Sequence, residues 1–152
     1  MIASFFDTYF VLICSAAAWL TAQVLKCIIT AVVCRDNLTF STLFSSGGMP
    51  SSHSATVCAL TTALIIREGV SSPVTAVAAV LTFIVMYDAM GVRRSTGEQA
   101  KTLNQLLSHL FEENQIPTET TVREICGHTP FQVSVGAVLG ILLPCVLGFI
   151  LV

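Results

Sequence analysis

The stretch "YFVLICSAAAWLTAQVLKCIITAVV", residues 9 to 33, carries one charged side chain, Lys26, in twenty-five residues. A bilayer core needs about 20 consecutive, mostly apolar residues, so this stretch reads as a membrane-crossing helix with length to spare. The rest of the chain agrees: 54% of its residues are hydrophobic, 11% are charged and the mean hydropathy is +0.82, which lies outside the range of soluble domains. The opening "MIASFFDTYFVL" has no basic run, and the apolar segment after it is too long for a cleaved leader, so it is expected to remain as the first membrane helix. Lys26 lies near the end of that helix, where snorkelling to the interface is one reading.

Three more segments follow the same logic. Residues 52–66 form a short one, a shallow or re-entrant helix if not a full span, residues 73–90 another, and residues 131–151 a third in which Pro144 kinks the helix without ending it. The expected fold is therefore all-α: a single integral membrane domain over 1–152, with four membrane helices at about 9–33, 52–66, 73–90 and 131–151. Alternating crossings put the connections 34–52 and 91–130 on one side. That side holds Arg35, Arg93, Arg94, Lys101 and Arg123 against Arg67 on the other, so the positive-inside rule sets the loop-rich side in the cytoplasm.

Within the long connection, "RSTGEQAKTLNQLLSHLFEEN" places apolar residues at 100, 103, 106, 107, 110 and 111 behind a Ser95-x-x-Glu98 capping pattern, predicting an amphipathic interfacial helix over about 96–113. "TETTVREIC", residues 118–126, predicts a further short helix ended by Gly127. The six cysteines form no C-x-x-C pair and fall mostly in apolar runs, where a thiol packs as a small hydrophobe. No Lys/Arg-rich run exists and the net charge is −2, which removes the electrostatic basis for a nucleic-acid partner.

The topology brings Lys26, Arg35, His53, Asp88, Arg93, Arg94 and His128 to one face of the bundle, from four different helix ends. In "GGMPSSHSA", residues 47–55, the glycines free the backbone, and Ser51 or Ser52 can cap a helix whose amides attract an oxyanion. An ordinary helix start with an interfacial histidine looks the same locally. Arg93 and Arg94 in "YDAMGVRRSTGEQA" offer planar donors suited to phosphate oxygens, or to anionic headgroups with Asp88 as a simple ion-pair partner. In "GHTPFQVSVG", residues 127–136, Thr129 and Gln132 form a T-x-x-Q capping box, and His128 stands ahead of a helix N-terminus. There it is placed either to attack phosphorus or to close a loop hydrogen bond. His109 falls on the polar side of the loop helix and stays outside this group.

Taken in order, "AQVLK" at 22–26, "GGMPSSHSA" at 47–55, "YDAMGVRRSTGEQA" at 87–100 and "GHTPFQVSVG" at 127–136 resemble the divergent, vanadium-haloperoxidase-related branch of the type 2 phosphatidic acid phosphatase family. The resemblance covers most of the chain. It implies hydrolysis of a lipid phosphate or diphosphate at the membrane surface with no metal or other cofactor. His128 would be the nucleophile and His53 the general acid, while Lys26, Arg35, Ser51, Ser52, Arg93 and Arg94 would bind the phosphate. Two departures stand out: Arg94 and His128 are separated by the whole amphipathic loop, and Gln132 occupies the place of the family's orienting carboxylate, a role Asp88 is expected to fill in space. The rival reading is a non-catalytic lipid-phosphate binder or transporter using the same basic pocket. A homodimer through Gly136-x-x-x-Gly140 is also expected, unless that pair packs within one chain.

Overall fold

A computed structural model describes residues 2–34, 48–112, 121–122 and 127–151, and all its regular elements among those residues are helical. Helix α1, Ile2–Ile29, runs on through a π-helical turn, Thr30–Cys34, and begins well before the expected Tyr9. Helix α2, Ser52–Glu68, is followed after a short turn by α3, Pro73–Met90, with its proline in the first turn. Helix α4, Val92–Glu112, follows α3 after Gly91 alone, and α5, Pro130–Leu151, closes the bundle. Pro144 sits inside α5 without ending it.

Among the described residues, three helices are long and apolar enough to cross a membrane: Tyr9–Val32, a segment starting at Pro73, and Pro130–Ile150. Helix α2 is the exception and also the centre. Its 17 residues span about 25 Å at 1.5 Å per residue, and it packs against α1, α3 and α5. A helix enclosed by apolar neighbours need not itself be lipid-compatible all round, which is why its Ser, Thr and Ala content did not read as a strong span. Two of its polar groups meet α3: Thr82 of α3 donates to the Val57 carbonyl at 2.9 Å, and its hydroxyl lies 2.8 Å from that of Thr61. With the Thr82 hydrogen spent on Val57, Thr61 is the donor in that pair.

Small residues set the spacing. Ala18 and Ala22 of α1 are fully buried against Ala55 and Ala59 of α2, and Phe10 and Cys14 of α1 meet Ala63 of α2 further along, so the two helices run antiparallel. Helix α5 runs parallel to α2. A Cβ on Gly136 would collide with the Ser51 carbonyl and one on Gly140 with the Ala55 carbonyl, while Gly148 lies beside Ile66. The expected Gly136/Gly140 contact is thus made within the chain, by α5 closing on α2 at backbone distance, and that glycine face is occupied.

This parallel pairing has a consequence for the site. The N-termini of α2 and α5 lie side by side, joined by a hydrogen bond from Ser51 N–H to the Gln132 carbonyl at 3.2 Å. The positive ends of two helix dipoles therefore share one end of the bundle.

Helix α4 starts at Val92, not near Ser95, because the chain leaves Gly91 directly into a new helix. The Ser95-x-x-Glu98 capping box therefore does not form; Glu98 instead accepts from Arg94 one turn earlier, at 3.2 Å. Most of the expected 118–126 helix lies outside the described residues, and Thr121 and Val122 are not helical.

Candidate functional site

Ahead of α5, Val122 and Gly127 both meet α4. The Asn104 side chain donates to the Val122 carbonyl at 2.9 Å and accepts from the Val122 N–H at 2.7 Å. Gly127 lies against the Arg94 backbone so closely that any Cβ there would overlap it, and the next residue's N–H, that of His128, reaches the Ala89 carbonyl at 3.2 Å. These three contacts step down α4 to the end of α3. They bridge the long separation between Arg94 and His128 in the chain.

His128 is buried, with 3% of its surface exposed. Its Nδ1 lies 3.3 Å from Gln132 Oε1, and the same oxygen accepts from Thr129 N–H at 3.1 Å. Thr129 Oγ1 in turn accepts from Gln132 N–H at 3.3 Å, completing the reciprocal capping box. The Thr129 amide is a donor, so the carboxamide must present its oxygen to it. Assigned from this network, the neutral His128 ring is protonated at Nδ1 and keeps a lone pair on Nε2. Gln132 therefore supplies the orienting contact expected of Asp88, but without a negative charge.

Burial pushes the His128 ring below its ordinary pKa of 6.5, and the charges of Lys26 and Arg93 act in the same direction. The bond to Gln132 and a main-chain contact from Gly48 oppose them.

His53 lies in the first turn of α2, capped by Ser51, whose hydroxyl accepts from Ser54 N–H at 3.4 Å. The imidazoles of His53 and His128 are 6.3 Å apart between centroids and inclined at 60°. His53 Nδ1 is buried with no hydrogen-bond partner among the described residues. Ser51 is fully buried and Ser52 nearly so, both at the shared helix ends.

Lys26 does not snorkel. It is 2% exposed, its charge acts on both histidines, and its methylenes pass beneath Gly48, where a Cβ would touch Cγ at 3.6 Å. Gly48 adopts φ +85°, a conformation natural only to glycine, and this lets the chain cross the lysine on its way to Pro50.

The two arginines separate. Arg93 pairs with Asp88 at 2.7 Å, and both act electrostatically on His53. Arg94 turns outward to Glu98, with about half its side chain exposed. Asp88 is thus the partner of Arg93, the ion-pair alternative of the sequence reading, while the contact on His128 Nδ1 comes from Gln132. Arg35 lies outside the described residues. Sequence reasoning missed Asn104 entirely; a lone asparagine on an amphipathic helix gives no signal until its main-chain partner is known.

Comparison with known proteins adds family evidence. The profile described as the Divergent PAP2 family matches residues 8–143. An uncharacterized membrane protein, YuiD, of Bacillus subtilis (strain 168) is 41% identical, over 93% of this chain and 96% of that protein. No solved structure matches.

Proposed function

The chain belongs to the Divergent PAP2 family, and from that premise we propose that it is a membrane-embedded phosphatase hydrolysing a lipid phosphate or diphosphate. The observation that carries this reading is the pairing of His53 and His128 at 6.3 Å across the joined N-termini of α2 and α5. In-line transfer needs a nucleophile about 3–3.5 Å from phosphorus and a general acid about 2.6–3.2 Å from the leaving oxygen, so the two rings must flank roughly one phosphoryl group. Those reaches and the P–O bond add up to about 7–8 Å between the reacting nitrogens, so the rings, with centroids 6.3 Å apart, face one shared site and must swing apart to admit the phosphoryl group in line.

In this mechanism His128 Nε2 attacks phosphorus, forming an N–P bond as the P–O bond to the lipid breaks. His53 gives its proton to the departing oxygen. Water, deprotonated by His53, then cleaves the N–P bond and releases inorganic phosphate, returning both histidines to their starting states. Lys26, Arg93, Ser51, Ser52 and the main-chain amides at the start of α2 stabilise the equatorial oxygens, and such preorganised donors supply most of the acceleration in sites of this kind. The reaction calls for no metal. The excess of Lys and Arg on this side of the bundle supports a cytoplasmic site.

Purified protein in lipid nanodiscs is expected to release phosphate from a lipid phosphate, with inhibition by vanadate and loss of turnover in His53→Ala. Full activity in that variant would remove His53 from the mechanism. One observation favours a binding role: the neutral Gln132 beside His128 gives an imidazolium no counter-charge. Tight lipid-phosphate binding with no turnover in the wild type would establish that alternative.

A further inference from the structure

Asn104 lies on α4, three helical turns beyond Val92, and the phosphate mechanism makes no use of it. Its carboxamide nevertheless does what a neighbouring strand would do: it presents one donor and one acceptor to both main-chain groups of Val122, at 2.9 and 2.7 Å. A carboxamide carries, on separate atoms, the donor and the acceptor that the two groups require. Five and six residues later come two more contacts, of Gly127 with the Arg94 backbone and of His128 N–H with the Ala89 carbonyl. His128 is therefore held from both directions, by Gln132 inside α5 and by the contacts of Gly127 with Arg94 and of its own N–H with Ala89.

We infer that Asn104 is a positioning residue for His128, acting through Val122 to keep the returning chain docked along α4. Helix α4 then couples to the site: its register relative to the return segment sets where the imidazole stands. The catalytic consequence rests on the phosphatase reading above, whereas the positional one does not.

The test uses the full-length protein in nanodiscs and reads His128 directly, by its rate of carbethoxylation with diethylpyrocarbonate, mapped by mass spectrometry. His109, exposed on α4, is the internal control. In the wild type His128 is shielded, at 3% exposure. Loss of both bonds in Asn104→Ala is expected to raise its labelling on the order of tenfold while His109 is unchanged. Asn104→Asp, which keeps the acceptor for Val122 N–H and loses the donor, is expected to fall between.

Val122→Pro removes the N–H that Asn104 accepts and is expected to act likewise, and the double variant should exceed neither single change, as required of two residues in one interaction. Unchanged His128 labelling in Asn104→Ala and Val122→Pro, or effects that multiply in the double variant, would overturn the inference. With a lipid phosphate as substrate, Asn104→Ala should lower kcat at constant KM. Altered labelling in a protein whose wild type never turns over would refute the phosphatase and leave the clamp standing; an active wild type whose kcat and labelling survive Asn104→Ala would refute the clamp.

Discussion

Gln132 Oε1 serves two donors at once, the Thr129 N–H at 3.1 Å and His128 Nδ1 at 3.3 Å. One side chain thus starts a membrane helix and sets the tautomer of the histidine before it. A carboxylate in its place would do both and would also balance an imidazolium. Gln132→Glu, nearly isosteric and favoured at a helix N-terminus, is therefore expected to raise kcat about tenfold or more, measured by phosphate release. Gln132→Leu, which keeps neither contact, should lower it.

Protonation of His128 opposes folding. Its folded pKa lies below 6.5, chiefly through burial, so folding favours the neutral ring. The stability this contributes is complete above the unfolded value of 6.5 and is lost as pH falls through the folded pKa. Thermal unfolding in detergent between pH 8 and 5 should show Tm falling below about pH 6.5, with a shallower fall in His128→Asn. The acid limb of the kcat/KM profile should likewise lie below that of an unperturbed histidine.

The two adjacent arginines should differ sharply. Arg93 pairs with Asp88 and its charge bears on both histidines, whereas Arg94 pairs with Glu98. Arg93→Ala is expected to reduce kcat/KM on the order of a hundredfold, the scale of losing one preorganised oxyanion donor. Arg94→Ala should remain within about fivefold, as a surface ion pair is worth at most about 1 kcal/mol. Equal losses in the two would contradict this assignment.

Close approach of α5 to α2 depends on glycine at two positions and not at a third. Gly140→Ala drives a methyl into the Ala55 carbonyl, and overpacking of this kind costs about 1–3 kcal/mol. Gly148→Ala meets its nearest neighbours at 3.6 Å, an ordinary contact, and should be nearly neutral. Denaturant unfolding of the two variants in the same detergent measures the difference.

Much of this architecture was legible locally. The T-x-x-Q box at 129–132, the serine cap before α2 and the proline start of α3 are decided by side chains reaching two or three residues, and all three are where the sequence places them. What was hidden depends on helix phase and on pairing over distance. Arg93 and Arg94 differ by one residue, or about 100° around a helix, so their fates rest on α4 running unbroken from Val92, which the Ser95 capping pattern concealed. The burial of Lys26 required knowing that Gly48 crosses over it. The central position of α2 runs against its weak hydropathy, because enclosure by α1, α3 and α5 replaces lipid as its solvent.

The central claim is that one phosphoryl group passes between His53 and His128. His53→Ala, given an aryl phosphate whose leaving group needs no general acid, tests it most directly: attack by His128 should proceed while the water step, deprived of its base, stalls. Acid-free rapid quench followed by peptide mapping is predicted to find a phosphoryl adduct on His128, with a stoichiometric burst of the aryl alcohol. No burst and no adduct, in a folded protein that still binds vanadate, would contradict it.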